Sequence, residues 1–480
     1  MSAMNRHSTV VVRMRSSRSV AGWVVALLLP GALLGITPQW SDRYDSPESL
    51  EDVGKVVVAG PAGSVYVAGT SSHRVDESLI VGLRFLARID ASGTRIWERR
   101  DPIGISGSWT TDAAVDSQGN LVVLTTEQPF AAIDVDKISP DGVLLWSRRF
   151  TPPSGELARA EGIAAGSDGA VVATWFEYNV GETGAVVKIS AAGDVEWTRR
   201  YAGPGSGATP AAVAVDAAGA IYLAGSATLG DGADFALWKY LPDGTFSWVW
   251  TEGSALSFAD DRAVGLAIDG DGIVVAGTFA MNSGVGSDLA AARIDSSGQR
   301  VWLTTSRNAA GDSDWAFAMS VATDGRVYVS GTSEIAPNHN APLLAAFGAD
   351  GSALWSRSFD GGVVANGYFL SVASDGAGNA VAAGYDSDPI VGESFFVASL
   401  GRDGNENWTD RFAPVAGMPS GAAAIAVAAD DSVVVTGDTW YPRAGGGFDR
   451  DLVTVSYRAT TLFRDSFEGG DAANWRVALD

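Results

Sequence analysis

A glycine and a tryptophan four residues apart recur along this chain at a nearly constant spacing. Successive tryptophans of the series lie 49 to 57 residues apart, and every one from the second onward follows a glycine by four positions. A repeat of this length, kept through most of 480 residues, indicates stacked copies of one small unit within a single domain. The tryptophans are Trp40, Trp97, Trp146, Trp197, Trp248, Trp302, Trp355 and Trp408, and the glycines are Gly93, Gly142, Gly193, Gly244, Gly298, Gly351 and Gly404.

Each copy alternates short apolar segments with turns rich in glycine and aspartate. In the fourth copy, apolar segments begin at Ala212, Ile221 and Phe235, and a turn ending at Gly244 leads to Trp248. Segments of this length between such turns predict a four-stranded antiparallel meander, whose strands we label a to d. Segments that match strand b occur eight times, a count that does not depend on the tryptophans. We therefore predict an all-β fold, an eight-bladed β-propeller of four-stranded antiparallel blades.

The two ends of the repeat complete each other. The last copy lacks a tryptophan-bearing strand d, and the segment 38–44 stands alone before the first copy. We expect residues 38–44 to supply the missing outer strand, which closes the ring and covers an unpaired edge. The predicted organisation is a signal peptide at residues 1–37, the propeller at 38–458 and a C-terminal tail at 459–480.

The N-terminus is typical of an export signal. Four arginines between Arg6 and Arg18 precede an apolar run from Val20 to Ile36, which Pro30 interrupts. We expect a cleaved signal peptide and an extracellular, cell-surface or periplasmic protein, with an uncleaved anchor as the alternative. No later segment of the sequence has the length and apolarity of a membrane span. We expect the mature protein to be a monomer without a membrane span.

Composition excludes several classes of function. The net charge is −23, from 33 basic and 56 acidic residues, which disfavours binding to a phosphate backbone. The chain has no cysteine and three histidines, which excludes disulfides, thiolate metal sites and a histidine-rich metal centre. Nucleotide-binding, serine-hydrolase and zinc-protease motifs are absent from the sequence. We expect no nucleic acid partner and no organic cofactor.

Aromatic residues outside the repeat are the candidates for binding. The eight repeated tryptophans are assigned to the core between blades, because a fixed phase indicates a structural role. The additional aromatics fall in or beside the b–c and d–a connections, where they either stack on a ligand or cap the core beneath long loops. These candidates are Trp109, Trp175, Phe176, Tyr178, Trp315, Tyr368, Trp440 and Tyr441.

Carboxylates on the same connections are the candidates for a metal. Ca²⁺ takes several oxygen ligands, so closely spaced aspartates are its expected site, whereas solvated turn residues are the alternative. The candidate ligands are Asp231, Asp234, Asp312 and Asp314. Paired carboxylates would also suit a glycosidase.

Two stretches of the fourth copy resemble bacterial β-propeller repeats of the SBBP and delta-60 kind. They read VDAAGAIYLAG at 215–225 and DFALWKYLPDG at 234–244. The resemblance implies an exported or surface propeller. The glycine-tryptophan element is also similar to the docking motif of the eight-bladed, pyrroloquinoline-quinone-type propellers, a likeness of architecture. The stretch FRDSFEGGDAANW at 463–475 resembles a short C-terminal segment of exported proteobacterial proteins.

The sequence leaves three functions open. The leading hypothesis is a non-catalytic propeller that binds a protein or polysaccharide through the face carrying the b–c and d–a loops. The second is an enzyme that uses the axial pocket, either a glycoside hydrolase or a cofactor-dependent oxidoreductase. The third is a structural cell-surface protein.

Overall fold

A computed structural model describes most of the chain from Ile36 to Arg458. The predicted C-terminal tail and nearly all of the predicted signal peptide lie outside the described residues, so both stay predictions. The internal segments outside the description are 76–79, 103–107, 154–155, 179–182, 202–206, 230–231, 255–259, 271, 281–285, 307–312, 338, 360–365, 389–391 and 444–445.

Within the described residues, 32 strands form eight antiparallel sheets of four strands each. The first strand, β1, belongs to the last sheet, and the next sixteen form the first four blades in chain order. These strands are β1 (Trp40–Tyr44); β2 (Asp52–Ala59), β3 (Val65–Arg74), β4 (Ile80–Ile89) and β5 (Arg95–Asp101); β6 (Ser108–Val115), β7 (Leu121–Glu127), β8 (Ala132–Ile138) and β9 (Leu144–Phe150); β10 (Leu157–Ala165), β11 (Val171–Tyr178), β12 (Thr183–Ile189) and β13 (Val195–Tyr201); β14 (Gly207–Val215), β15 (Ile221–Leu229), β16 (Gly232–Tyr240) and β17 (Phe246–Glu252).

The remaining fifteen strands form blades five to eight, and the last blade takes β1 as its fourth strand. They are β18 (Arg262–Asp269), β19 (Gly272–Ala280), β20 (Ser287–Asp295) and β21 (Arg300–Ser306); β22 (Asp314–Val321), β23 (Val327–Ala336), β24 (His339–Phe347) and β25 (Ala353–Ser358); β26 (Tyr368–Ser374), β27 (Ala380–Asp388), β28 (Gly392–Leu400) and β29 (Glu406–Phe412); β30 (Ser420–Val427), β31 (Val433–Pro442) and β32 (Phe448–Tyr457).

The blades close into a ring through their first strands. Strand a of each blade contacts strand a of the next, from β2 through β6, β10, β14, β18, β22 and β26 to β30, and β30 returns to β2. Strand a is therefore the innermost strand, and the predicted eight-bladed β-propeller is confirmed. Among the described residues, helix is limited to the short 3₁₀ turn Pro61–Gly63, and none of it is long enough to cross a membrane.

The predicted closure by the N-terminal segment is also confirmed. β1 pairs antiparallel with β32, with Trp40 opposite Ser456 and Tyr44 opposite Leu452. The Tyr44 side chain is buried against Phe85 of blade one, with ring centroids 4.1 Å apart. The outer edge of the last blade is thus paired by the first strand of the chain, which removes an exposed sheet edge.

The repeated tryptophan and glycine meet across seven of the eight blade junctions. The Trp197 indole N–H donates to the Pro242 carbonyl in the c–d turn of the next blade, at 3.0 Å. Gly244 in that turn has φ +79°, and a Cβ there would lie 2.7 Å from the Trp197 ring. A side chain is therefore excluded by both conformation and space. The same indole hydrogen bond is present for Trp40, Trp97, Trp146, Trp248, Trp302 and Trp355, whereas the Trp408 ring stacks on Tyr457.

Candidate functional site

Every innermost strand contains a β-bulge at the same point. One extra residue interrupts the pairing between strands a and b in each blade, and none of these eight residues is buried. A bulge leaves its extra residue unpaired and redirects the side chains around it. The eight bulge residues are Lys55, Thr111, Glu161, Ala211, Val264, Phe317, Leu370 and Ala423.

The bulge residues divide the ring into a polar arc and an apolar arc. Blades one to three carry Lys55, Thr111 and Glu161, and the other five blades carry apolar side chains at this position. A feature that breaks an otherwise repeated pattern is the expected mark of a functional site. The three polar bulge residues line one open pocket of about 660 Å³, which we call the bulge pocket. Trp109, Arg159 and Arg450 also line this pocket.

The bulge pocket opens on the face that sequence analysis favoured for binding. Its walls come from the beginnings of strands a, where the d–a connections enter the blades, and from the b–c connection of blade one around Ile80 and Gly82. Hydroxyl groups are frequent in the walls: Thr110 donates to the Gly69 carbonyl at 3.0 Å, and Thr126 accepts from the Ala160 N–H at 3.0 Å. These bonds hold the pocket wall across three consecutive blades.

Trp109 presents an exposed aromatic surface to the bulge pocket. Its side chain is 53% exposed, which is unusual for a large aromatic residue in a folded domain. It begins a row of rings: Trp109 meets Phe130 at 5.8 Å, and Phe130 meets Tyr178 at 6.4 Å. Tyr178 in turn contacts Phe176 at 4.6 Å. The structure therefore brings three predicted binding residues together and adds Phe130, which the sequence analysis missed.

The charges in the bulge pocket differ from those of the whole molecule. Lys55, Arg159 and Arg450 face two carboxylates, Glu51 and Glu161, in a protein whose net charge is −23. Glu161 accepts a hydrogen bond from Arg159 at 2.7 Å. Burial raises the pKa of Glu161 to about 7, and the nearby Arg159 opposes this rise. Burial also lowers the pKa of Lys55. Charged groups of both signs within one concavity make the bulge pocket a candidate ligand site.

Two of the predicted binding residues are core residues. Trp175 is 4% exposed and Phe176 is 5% exposed. The Trp175 ring stacks on Phe150 at 5.3 Å, and its indole N–H donates to Glu177 at 3.0 Å. The strand b to which they belong is buried on both faces. These two aromatic residues therefore cover the core, and neither exposes its ring to solvent.

The remaining aromatic candidates lie on other blades. Trp315 is 40% exposed on blade six, and Tyr368 on blade seven contacts Phe317 and Tyr385 at 5.9 and 5.1 Å. Trp440 and Tyr441 are half-buried in blade eight, where the Arg43 guanidinium lies 3.8 Å from the centre of the Tyr441 ring. The predicted aromatic face is therefore three separate groups, and the pocket is associated with the group on blades two and three.

Two of the four predicted metal ligands are described by the structure, and they lie on different blades. Asp231 and Asp312 lie outside the described residues. Asp234 belongs to blade four and faces Asp261, and Asp314 belongs to blade six. The described carboxylates that do meet with metal-ligand spacing are Asp45, Asp52 and Asp451. No local pattern in the sequence indicates this group, because Asp451 is far along the chain from Asp45 and Asp52.

Comparisons with known proteins support the fold. No family model and no curated protein matches the chain. The structure is similar to the crystal structure of Sqt1 from Chaetomium thermophilum, with a TM-score of 0.54 and 9% identity over 88% of this chain and 100% of that one. It is also similar to the β-propeller domain of the Trilobed protease from Pyrococcus furiosus, with a TM-score of 0.45 and 8% identity over 75% of this chain and 95% of that one. It is also similar to an α-L-arabinanase from Penicillium chrysogenum complexed with arabinobiose (TM-score 0.39, 12% identity, 63% and 95%). Of these three matches, the one to Sqt1 has a TM-score above 0.5, and at 9% identity it shows a shared fold alone.

Proposed function

We propose that this chain is an exported propeller of the SBBP and delta-60 kind that binds a glycan in the bulge pocket, without an organic cofactor. The observation that carries the proposal is the exposed Trp109 ring at the rim of a pocket rich in hydroxyl and charged groups. A sugar ring offers an apolar face and a polar edge, and an indole beside hydrogen-bonding side chains matches both. The basic N-terminal region and apolar run support export.

A matched pair of tryptophans tests the site. Trp109 and Trp315 both lie two residues before a bulge residue, Thr111 and Phe317 respectively, on blades two and six. The wild-type chain is screened against soluble polysaccharides by affinity electrophoresis and then by calorimetry. We expect Trp109→Ala to weaken binding about tenfold or more, because aromatic anchors dominate such interfaces. Trp315→Ala should retain wild-type affinity.

Either of two results would contradict the proposal. One is the absence of binding across neutral and acidic polysaccharides while circular dichroism shows folded protein. The other is equal loss of affinity in the Trp109 and Trp315 variants, which would point to a diffuse aromatic surface. Binding of a protein partner without any glycan would favour the other branch of the binding hypothesis.

A second candidate function is glycoside hydrolysis in the same pocket. The observation that favours it is Glu161, whose pKa of about 7 suits a general acid at neutral pH. Glu51 lines the same pocket and offers a second carboxylate. Reducing-sugar release from each bound polysaccharide measures this activity, and Glu161→Gln should abolish it while leaving binding. A bound polysaccharide that stays intact on prolonged incubation would exclude this candidate.

A further inference from the structure

Three carboxylates from distant parts of the chain meet where the ring closes. Asp45 follows the closing strand β1, Asp52 begins the innermost strand of blade one, and Asp451 lies on β32 of blade eight. One oxygen from each lies within 4.8 Å of one from each of the others. Asp52 and Asp451 are fully buried, whereas Asp45 is exposed at the surface.

The hydrogen bonds at this junction leave one oxygen of the buried Asp451 without a donor. Asp52 Oδ2 accepts the Ser46 N–H at 2.7 Å, and Asp451 Oδ2 is bound by the Arg43 guanidinium. Asp451 Oδ1 is inaccessible to solvent and makes no hydrogen bond within the described structure, whereas the Ser71 hydroxyl lies beside the Asp52 carboxylate. A buried carboxylate oxygen without a donor is costly, and a bound cation is one of the few arrangements that satisfy it.

The charges around the cluster do not cancel. Arg43 lies against both Asp451 and Asp45, so three carboxylates share one guanidinium and carry a formal charge of −2. The other nearby charges are already paired: Arg443 with Asp449 at 3.0 Å, and Arg100 with Glu48 at 3.2 Å. A divalent cation would balance the remaining charge.

The equivalent junction between blades four and five has the same pair of aspartates and no unsatisfied oxygen on the innermost strand. Asp261 occupies the place of Asp52, two residues before the small residue that precedes the bulge, and Asp234 occupies the place of Asp451. Asp261 accepts the Ser254 N–H at 2.6 Å and the Ala280 N–H at 2.5 Å, one on each oxygen. The backbone satisfies this carboxylate, whereas at the closing junction it satisfies half of Asp52.

We infer that Asp45, Asp52 and Asp451 form a Ca²⁺ site that clips the first strand of the chain to the last blade. The donors are all hard oxygen atoms, which Ca²⁺ prefers, and water completes the six to eight ligands that it takes. Bound at this point, the ion joins β1, β2 and β32, the three strands on which closure of the ring depends. The site is independent of the glycan proposed for the bulge pocket.

Calcium binding to chelator-treated full-length protein tests the inference. Titration calorimetry with Ca²⁺ should give one site, with an affinity in the range of extracellular calcium modules, about 10⁻⁴ to 10⁻³ M or tighter. Tb³⁺ should displace Ca²⁺ and luminesce on excitation of aromatic residues, because Tyr44 precedes Asp45 in the chain. Saturating Ca²⁺ should also raise the melting temperature, since the ion binds the folded ring alone.

Two aspartate variants locate the site. Asp45 is exposed, so Asp45→Asn should fold normally and lose at least about tenfold in Ca²⁺ affinity, together with the rise in melting temperature. Asp234→Asn at the equivalent junction should behave as wild type in both measurements. No Ca²⁺ binding by folded wild-type protein up to about 10 mM would overturn the inference. Equal affinity of the Asp45 variant and wild type, or an equal response to Mg²⁺, would do the same.

Discussion

At the scale of single residues, the repeat arises from a contact between a tryptophan ring and the backbone of a glycine in the next blade. Each repeated tryptophan from Trp40 to Trp355 lies beneath the turn of the following blade, and the glycine of that turn leaves room for the indole ring. Arg199 strengthens the same contact, because its guanidinium donates to the Gly244 carbonyl at 2.9 Å. The fixed spacing of glycine and tryptophan in the sequence therefore records how neighbouring blades pack.

A double-mutant cycle on Trp197 and Gly244 tests this contact. Trp197→Ala should lower the free energy of unfolding by about 3–5 kcal/mol, as expected for a large buried aromatic residue. Gly244→Ala should also destabilise, because its Cβ would overlap the ring and its φ is +79°. In the double variant the overlap is gone. Its loss in free energy of unfolding should therefore be smaller than the sum of the two single losses by about 0.5–3 kcal/mol.

Gly417→Ala is the control for the conformational part of the glycine effect. Gly417 has φ +75°, and no atom lies within 4 Å of the place that an alanine Cβ would occupy, so this variant isolates backbone strain. Urea denaturation of the wild type and of the four variants measures these free energies of unfolding. Strict additivity of the Trp197 and Gly244 variants would mean that the two residues do not depend on each other for packing.

At the scale of elements, the first strand of the chain has a task that no other strand shares. β1 alone joins the two ends of the repeat, and its pairing with β32 covers the outer edge of blade eight. The Trp40 indole N–H reaches the Ala91 carbonyl of blade one at 3.1 Å, so the same strand also ties blade eight to blade one.

Removal of the chain through Tyr44 should lower the melting temperature by more than about 5 °C, since an entire strand and its inter-blade contacts are lost. The exposed edge of β32 should also promote association, which light scattering measures. A chain that begins at Pro38 is the matched control. It keeps β1, so its melting temperature should equal that of the full-length protein. A melting temperature that the longer truncation leaves unchanged would refute closure by β1.

The bulges of the innermost strands, and the side chains that they direct into one pocket, could not be predicted from the sequence. The bulge in each of these strands depends on its pairing with strand b, which no local pattern in the sequence predicts. Lys55 and Glu161 were visible as charged residues within strands of small residues. Their shared orientation towards one pocket was not, because a shift of one residue in register changes which side chains share a face.

At the scale of the whole molecule, buried acids should make stability depend on pH. Burial raises the pKa of Asp112 and Asp134 to about 6 and that of Glu161 to about 7. These values exceed those of the unfolded chain, so the folded protein holds more protons between about pH 4 and 7. The stability that their protonation contributes is present at low pH and is lost as pH rises through 6 to 7.

Turn aspartates act in the opposite direction. Hydrogen bonds to turn residues lower the pKa of Asp243, Asp295 and Asp350, so their contribution is lost as pH falls below about 4. We therefore expect a higher melting temperature at pH 5 than at pH 8, measured by calorimetry in the presence of a chelator. Glu161→Gln should reduce the difference, and a higher melting temperature at pH 8 would contradict the expectation.

The sequence by itself determined the number of blades, the closure of the ring and the place of the repeated tryptophans between blades. Each of these follows from a pattern that is local and repeated, so that eight copies report the same structure. The bulge pocket and the carboxylate cluster were decided by tertiary structure alone. The pocket depends on strand register, and the cluster depends on ring closure, which brings Asp45 and Asp451 together from opposite ends of the chain. Neither the pocket nor the cluster is marked by a repeated sequence pattern, because the residues that form each of them differ from the residues at the equivalent positions of the other blades.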